Sequence, residues 1–323
     1  MDNKQQVISQ MNNWGRLRKP FFFIIDFELK KPMAFLIENI PKHIKFNIKG
    51  HSNTINKPQK PSPFTFEVSP VSFEEYNLAY KKVFKELNYG NSYLLNLTFP
   101  TELNTNLDLE TIFYRSNAPY KLLVDSKFVV FSPETFIRIE NGIISSYPMK
   151  GTIDASIPNA ESILLNDPKE QAEHATIVDL IRNDLSNVAS KVKVSNYRYI
   201  EKIETFKHSL FQTSSKVEGV LSNNYNEYLG DLLFSLLPAG SISGAPKKKT
   251  IEIIKNTESR KREYFTGIFG IFNGKSLDSG VIIRFIEQKT NKLVFRSGGG
   301  ITSQSNAKAE YQELIKKVYV PFI

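Results

Sequence analysis

The chain contains no cysteine, one tryptophan and four histidines. Without thiols it cannot form disulfides, thiolate zinc sites or a cysteine nucleophile, and their absence fits a reducing compartment. Long apolar runs are missing too: Phe21–Ile25 is followed by Asp26, far short of the roughly 18 to 20 apolar residues that span a bilayer. The first residues do not resemble a signal peptide. We therefore expect a cytoplasmic protein without a membrane partner.

The 323 residues can bury a large core, as one domain or two coupled halves, and 41% of them are hydrophobic. The net charge is +9. Most lysines and arginines are dispersed, and aromatic residues do not alternate with them as they do in nucleic-acid-binding modules. The charge therefore favours a small anionic substrate over nucleic acid.

Turn and cap signals predict the fold class. Asn141–Gly142 and Asn273–Gly274 each separate two strand-like runs, and this dipeptide is a strong hairpin signal. Helices are predicted over about 72–90, 168–187, 225–237, 246–256 and 306–318. Antiparallel hairpins joined by helices favour an α+β fold over a doubly wound parallel sheet. Residues 1–69 are interpreted as a short N-terminal segment of strands and a loop, and residues 70–323 as the main catalytic domain.

Lys150 is the main candidate for a reactive group. It lies in the segment Pro148–Thr152, directly after a strand-like run, and Gly151 in that segment lets the backbone come close to a bound group. Most lysines are solvated surface charges. Other polar motifs along the chain favour a reactive amine here: Glu134 lies upstream, and His208 and the serine-containing turn Gly240–Lys247 lie downstream.

Two pairs of glutamates have helical spacing: Glu170 with Glu173, and Glu310 with Glu313. Side chains three residues apart share one face of a helix. Either pair alone is ordinarily a solvated face. Brought together, the two pairs supply the hard oxygen ligands that Mg²⁺ prefers.

Gly298–Gly300 and Arg284 are candidates for anion binding. Three consecutive glycines allow backbone amides to converge on an anion, aided by a helix that begins near Asn306, although a flexible turn is the alternative. Arg284 lies in the apolar run Val281–Phe285, where its charge needs a carboxylate partner or a solvent-facing position. A substrate carboxylate is one such partner.

In this order, the motifs resemble those of the chorismate-utilising enzymes, which include anthranilate, isochorismate, salicylate and aminodeoxychorismate synthases. The resemblance covers about residues 70 to 320 and includes Glu173-His174 ahead of Ile177–Leu185. It implies an α/β sandwich of antiparallel sheets with helices packed outside, and chorismate bound beside Mg²⁺. Lysine at position 150 is typical of the aminodeoxychorismate branch, whereas anthranilate synthases carry alanine there.

The resemblance implies displacement of the 4-hydroxyl of chorismate. Lys150 adds to ring carbon 2 while protonated Glu134 donates to the departing hydroxyl, and ammonia then attacks carbon 4 and expels the lysine. This route needs a partly neutral lysine and a partly protonated glutamate. His208 is implied near the reacting ring. The resemblance also implies substrate binding by Thr152, Ser243, Gly244, Phe265, Arg284, Gly298, Gly299, Gly300 and Lys317, and Mg²⁺ binding by Glu170, Glu173, Glu310 and Glu313.

Three positions depart from the family's pattern. Leu94 stands where aminating members usually carry glutamine and water-adding members carry a water-activating lysine, so an isochorismate or salicylate synthase is not expected. Phe265 replaces a tyrosine and removes a hydroxyl from the carboxylate site. Ser243 replaces a threonine and keeps its hydroxyl. The segment before residue 70 is short, so the tryptophan pocket of longer members is expected to be missing.

The resemblance therefore implies a component I enzyme that converts chorismate and ammonia to 4-amino-4-deoxychorismate for p-aminobenzoate and folate synthesis. A class I glutaminase forms a thioester on a cysteine, which this chain lacks. We expect a separate glutaminase subunit, component II, to deliver the ammonia. An anthranilate synthase and a non-catalytic basic binding protein on the same fold remain the alternatives.

Overall fold

The computed structural model describes residues 2–55, 63–204, 209–290 and 292–322. Its helices are α1 (Asn3–Arg16), α2 (Phe73–Asn88), α3 (Leu109–Arg115), α4 (Ala160–Asn166), α5 (Pro168–Ser186), α6 (Leu229–Ser235), α7 (Gly240–Ser243), α8 (Lys247–Thr257) and α9 (Ala307–Lys316), with short 3-10 helices at Ile37–Asn39 and Tyr225–Tyr228. Its strands are β1 (Phe21–Ile25), β2 (Met33–Leu36), β3 (Ile44–Ile48), β4 (His51–Ser52), β5 (Phe66–Pro70), β6 (Leu94–Thr105), β7 (Tyr120–Val124), β8 (Phe128–Ser132), β9 (Thr135–Glu140), β10 (Ile143–Ser146), β11 (Met149–Asp154), β12 (Ser190–Glu204), β13 (Ser209–Val220), β14 (Gly244–Ala245), β15 (Ile268–Phe272), β16 (Leu277–Val281), β17 (Phe285–Lys289) and β18 (Lys292–Ile301).

The strands form two antiparallel sheets. The first has the order β11-β13-β10-β9-β16-β15-β1-β2, with β12 also paired to β13. The second has the order β14-β6-β18-β17-β8-β7-β3-β4, with β5 also paired to β6. The prediction of an α+β fold with antiparallel sheets is confirmed.

Alternation along β1 shows where the apolar layers lie. Phe22 and Ile24 pack with strand residues of the second sheet, so their layer lies between the two sheets. Phe21 and Phe23 belong to a larger cluster with α1, α5 and α6. A third cluster lies between the outer face of the second sheet and α3. Helices therefore cover the outside of a two-sheet sandwich.

The clearest local signals predicted their elements correctly. Asp167 caps α5 by accepting from the Glu170 N–H at 2.9 Å, and Ser72 caps α2 in the same manner. Asn141 and Gly142 both have positive φ angles, as a two-residue hairpin turn between β9 and β10 requires.

The interpretation of residues 1–69 as strands and a loop is wrong for α1. This helix is mostly polar, and its buried residues are few, which leaves a weak apolar pattern in the sequence. It is held by tertiary contacts: Asn12 Oδ1 accepts from the Gly230 N–H at 2.8 Å. A Cβ at Gly15 would lie 2.2 Å from the Asn226 carbonyl oxygen, so glycine allows the close approach.

The long hairpin β12–β13 was not predicted either, because polar and charged residues dominate β12. The predicted boundary between residues 69 and 70 falls at the end of β5. Strands on both sides of that boundary pair within the same two sheets. Across the described parts of the chain, no helix has the length and apolar character needed to cross a membrane.

Candidate active site

Lys150 lies in β11 at a bulge created by Gly151. The pairing of β11 with β13 shifts register between Lys150 and Thr152, and Gly151 has φ +76°. A Cβ at Gly151 would lie 2.8 Å from Glu170 Oε2. Glycine is therefore needed both for the backbone conformation and for the close approach of β11 to α5.

The amine of Lys150 contacts a carboxylate of α5. Its Nζ lies 2.5 Å from Glu173 Oε2, and these side chains are 24% and 9% exposed. Burial works to lower the pKa of Lys150, but the charges of Glu173, Glu313 and Glu170 outweigh it and raise that pKa. This arrangement favours the ammonium form, in contrast to the partly neutral amine that the mechanism requires.

Glu173 and Glu310, one from each glutamate pair, face each other across Lys169. Lys169 Nζ lies 3.8 Å from Glu173 Oε1 and 3.7 Å from Glu310 Oε1, so one ammonium group lies between α5 and α9. Glu310 Oε1 also accepts a hydrogen bond from the Ser305 hydroxyl at 2.8 Å. Glu313 forms a 2.7 Å ion pair with Lys317.

The environment separates the pKa values of these carboxyl groups. Burial raises the pKa of Glu170 and of Glu310. Burial acts on Glu313 in the same direction, but the nearby lysines, Lys317 first among them, outweigh it and lower its pKa. Glu313 is therefore the most readily ionised of these three groups.

Carboxylate oxygens match the ligand preference of Mg²⁺, and a glycine leaves room beside them. A Cβ at Gly299 would lie 3.7 Å from Glu310 Oε2 and 4.0 Å from Glu313 Oε1. No three acidic, histidine or cysteine side chains in the described ranges are grouped closely enough to hold a metal as they stand. Lysine ammonium groups lie among the carboxylates instead. The carboxylates are thus chemically suitable ligands for Mg²⁺, and the lysine ammonium groups neutralise their negative charge.

Gly298–Gly300 belong to a strand, so the alternative of a flexible turn is wrong. They lie within β18 and pair with Asn96–Thr98 of β6, because strand pairing satisfies their backbone groups. Their lack of side chains makes room for other residues. A Cβ at Gly300 would lie 3.0 Å from Leu94 Cδ1 and 3.6 Å from Lys150 Nζ. The Gly298 carbonyl accepts from Lys317 Nζ at 3.0 Å.

Glu134 lies between β8 and β9, and its carboxylate is held by a serine. The Ser241 hydroxyl donates to Glu134 Oε1 at 2.6 Å. Burial raises the pKa of Glu134, although the Ser241 hydrogen bond and the charges of Arg284 and Lys317 oppose the shift. A raised pKa is the direction of shift that the predicted role of proton donor requires.

Ser241 was missed, and Ser243 has a different contact from the one expected. The Ser243 hydroxyl is fully buried and donates to the Ala239 carbonyl at 2.8 Å. Two positions apart in the single turn α7, the serines face different directions, which the sequence motif alone did not resolve. Gly244 has φ +127°, and a Cβ there would lie 1.9 Å from the Leu94 carbonyl oxygen, so glycine lets β14 pair with β6.

Arg284 lies in the bend where the chain passes from β16 to β17, rather than inside one strand. Its φ is +52°. Its guanidinium carbon lies 5.2 Å from the centre of the Tyr319 ring. Its buried Nε has no hydrogen-bond partner among the described residues, so this donor is available to an anion.

Three further residues were predicted to contact the substrate: Phe265, Thr152 and Lys317. Phe265 is buried in the layer between the sheets, 5.8 Å from the Phe285 ring centre. Thr152 is an exposed residue of β11 opposite Gln212. Burial lowers the pKa of Lys317, and the carboxylate of Glu313 opposes that shift only in part. His208 lies outside the described residues.

His174 is a structural histidine behind Glu173. It is fully buried, and its Nε2 lies 2.7 Å from Ser215 Oγ on β13. Burial, followed by the charges of Arg198 and Lys150, lowers its pKa to about 4. The neutral imidazole therefore fixes α5 against β13.

Antiparallel sheets with outer helices, a lysine paired with Glu173, a buried glutamate with a raised pKa and carboxylate pairs on two helices together favour an enzyme for an anionic substrate. The chain belongs to the family of chorismate binding enzymes, whose family model matches residues 33–322. The resemblance inferred from its motifs is thereby confirmed.

Relatives span two ranges of similarity. An uncharacterized PabA-like protein of Haemophilus influenzae is 54% identical over 318 residues, covering 98% of this chain and 97% of that protein. Aminodeoxychorismate synthase component 1 of Salmonella typhimurium is 34% identical over 260 residues, covering 76% of this chain and 56% of that protein. The chain thus spans little more than half of the second relative.

A solved structure supports the fold. The menaquinone-specific isochorismate synthase MenF from Escherichia coli superposes with a TM-score of 0.74, covering 97% of this chain and 80% of that one. Its sequence identity is 16%, so the similarity establishes the shared fold alone.

Proposed function

We propose that the protein is component I of an aminodeoxychorismate synthase, which replaces the 4-hydroxyl of chorismate with an amino group. The observation that carries this proposal is the position of Lys150. Its amine lies next to Gly300 and the carboxylate of Glu173, and the charge of Lys317 acts on the catalytic candidate Glu134 while that of Lys150 acts on Lys317. Family membership supplies the chorismate chemistry, and the lysine favours the aminodeoxychorismate branch.

In the proposed reaction, the lone pair of Lys150 Nζ forms a bond to ring carbon 2. The electron pair of the C1–C2 double bond moves to C1–C6, that of the C5–C6 double bond moves to C4–C5, and the bond from carbon 4 to oxygen breaks, so that this oxygen leaves as water with the proton of Glu134. Ammonia then attacks carbon 4, both double bonds shift back, the lysine is expelled as its neutral amine, and the new ammonium group on carbon 4 returns a proton to Glu134. Two easier substitutions replace one difficult one.

The chain's residues are suited to supporting roles around this chemistry. Glu170, Glu173, Glu310 and Glu313 would hold Mg²⁺, which supplies positive charge for the ring carboxylate when bound. Arg284 and Lys317 offer positive charge for the other carboxylate of chorismate, that of the enolpyruvyl group. The charges of both residues also act to lower the pKa of Glu134. Leu94, which is buried, places an apolar side chain rather than a base near Lys150.

A separate glutaminase subunit would supply ammonia to this component. The chain has no cysteine for thioester formation. The isolated protein should therefore aminate chorismate with ammonium salts and fail with glutamine until the second subunit is added. Efficient turnover of glutamine by the pure chain would contradict the two-subunit proposal.

The reaction class can be tested with chorismate, Mg²⁺ and ammonium, followed by aminodeoxychorismate lyase. Formation of p-aminobenzoate supports the proposal. Anthranilate as the product would instead identify an anthranilate synthase. Magnesium-dependent chorismate binding without any product would identify a non-catalytic binding protein.

The covalent role of Lys150 has its own test. In Lys150→Ala, amination should fall by orders of magnitude while chorismate affinity changes little, because a nucleophile acts mainly on turnover. Lys316→Ala removes an exposed lysine of α9 and serves as the control. Retained turnover in Lys150→Ala would remove the covalent mechanism and leave chorismate binding intact.

A further inference from the structure

Lys169 occupies an unusual position between the two glutamate pairs. Its Nζ is almost equidistant from Glu173 Oε1 and Glu310 Oε1, at 3.8 Å and 3.7 Å. Both distances exceed that of a hydrogen bond. The ammonium group therefore bridges two carboxylates on different helices by charge, as a bound cation would.

Local helix physics does not favour the charge of Lys169 at this position. It is the second residue of α5, where the positive end of the helix dipole repels a cation. With Glu173 it forms an i, i+4 pair that has lysine on the N-terminal side, the weaker of the two orientations. The bridging position is thus explained by the carboxylates around it.

Exposure indicates which partner can move. The side chain of Lys169 is 48% exposed, whereas those of Glu173 and Glu310 are 9% and 4% exposed. The lysine can turn into solvent by rotating its flexible stem, while the glutamates are held by the packing of α5 and α9. A cation of higher charge can therefore take the place of the ammonium group without rearrangement of the helices.

We propose that Lys169 is a tethered cation that holds the place of a divalent metal between Glu173 and Glu310, and that it withdraws to solvent when the metal binds. This inference rests on the metal role of the glutamates in the proposed function. In this role Lys169 lowers the metal affinity of the site and neutralises the carboxylates of Glu173 and Glu310 before a metal binds.

The test compares Mn²⁺ binding to the full chain, without chorismate, by electron paramagnetic resonance. Lys169→Met keeps most of the side-chain volume and removes the charge. Because exposed ion pairs are weak, we expect about three- to tenfold tighter Mn²⁺ binding in this variant. Lys169→Arg, which keeps the charge, should remain close to the unaltered protein.

Lys308→Met provides the matched control, since it removes one exposed positive charge from α9. It should leave Mn²⁺ affinity nearly unchanged. Mn²⁺ binding by Lys169→Met that is equal to or weaker than that of the unaltered protein overturns the inference. So does an absence of Mn²⁺ binding in both the unaltered protein and Lys169→Met. Tighter Mn²⁺ binding by Lys169→Met, together with no amination of chorismate by the unaltered protein, would retain the inference and remove the proposed activity.

Discussion

Acid should destabilise the protein through His174. The buried imidazole has a pKa of about 4, against 6.5 for an unperturbed histidine. A lowered pKa means that the unfolded chain takes up the proton first as pH falls. The histidine therefore contributes no penalty above about pH 6.5, and its destabilising effect grows as pH falls towards 4.

The magnitude follows from the difference between the two pKa values. A difference of about 2.5 units corresponds to about 3 kcal/mol of unfolding free energy, most of which is lost by pH 4.5. This loss is a large fraction of the stability of a typical domain. It acts on the contact between α5 and β13, directly behind Glu173.

Urea unfolding at a series of pH values between 7.5 and 4 measures the effect. The unaltered protein should lose about 3 kcal/mol more than His174→Gln over this interval, because all other titrating groups are common to both proteins. His43→Gln, at an exposed histidine, is the control and should follow the unaltered protein. Parallel curves for the unaltered protein and His174→Gln would refute the assignment of a buried, neutral histidine.

Three further predictions concern the site. In urea unfolding, Gly151→Ala should lower the unfolding free energy by about 1–3 kcal/mol more than Gly142→Ala does. Both glycines have φ +76°, but only Gly151 has neighbours within 4 Å of an added Cβ, so equal losses of unfolding free energy would contradict the close approach to α5. Ser241→Ala should raise the pKa of Glu134 further and move the alkaline limb of the pH–rate profile of amination to higher pH. Ser243→Ala should leave that profile in place and cost about 1 kcal/mol of stability. A pH–rate profile that neither substitution moves would argue against Glu134 as proton donor. Chelation of divalent metal should stop amination while the thermal unfolding midpoint stays unchanged, because lysines already neutralise the carboxylates; a large fall in the midpoint would show a structural metal.

Features that depend on neighbours in the sequence could be predicted from it. Caps at Ser72 and Asp167 and the turn at Asn141–Gly142 are set by side-chain hydrogen bonds and backbone conformations within a few residues. The same holds for the shared helix face of Glu170 and Glu173. These local rules were enough to place the fold class and the acidic pairs.

Features that depend on the approach of distant segments could not be predicted. Gly298–Gly300 form a strand because β6 provides pairing partners about 200 residues away in the chain, whereas glycine itself disfavours strands. The α1 helix depends on its contact with α6. Which serine of α7 reaches Glu134 likewise depends on how the fold brings that turn to the connection between β8 and β9.

The lysines of the site show how tertiary structure changes the meaning of a motif. Read one by one, Lys169 and Lys317 are ordinary helix lysines, and the glutamates alone suggest a strongly negative site. In the fold, Lys150, Lys169 and Lys317 bring three ammonium groups to the four carboxylates of the predicted metal set. Burial of carboxylates is costly unless opposite charges accompany them. The near balance of charge therefore lets α5 and α9 bring these glutamates together before any substrate or metal binds.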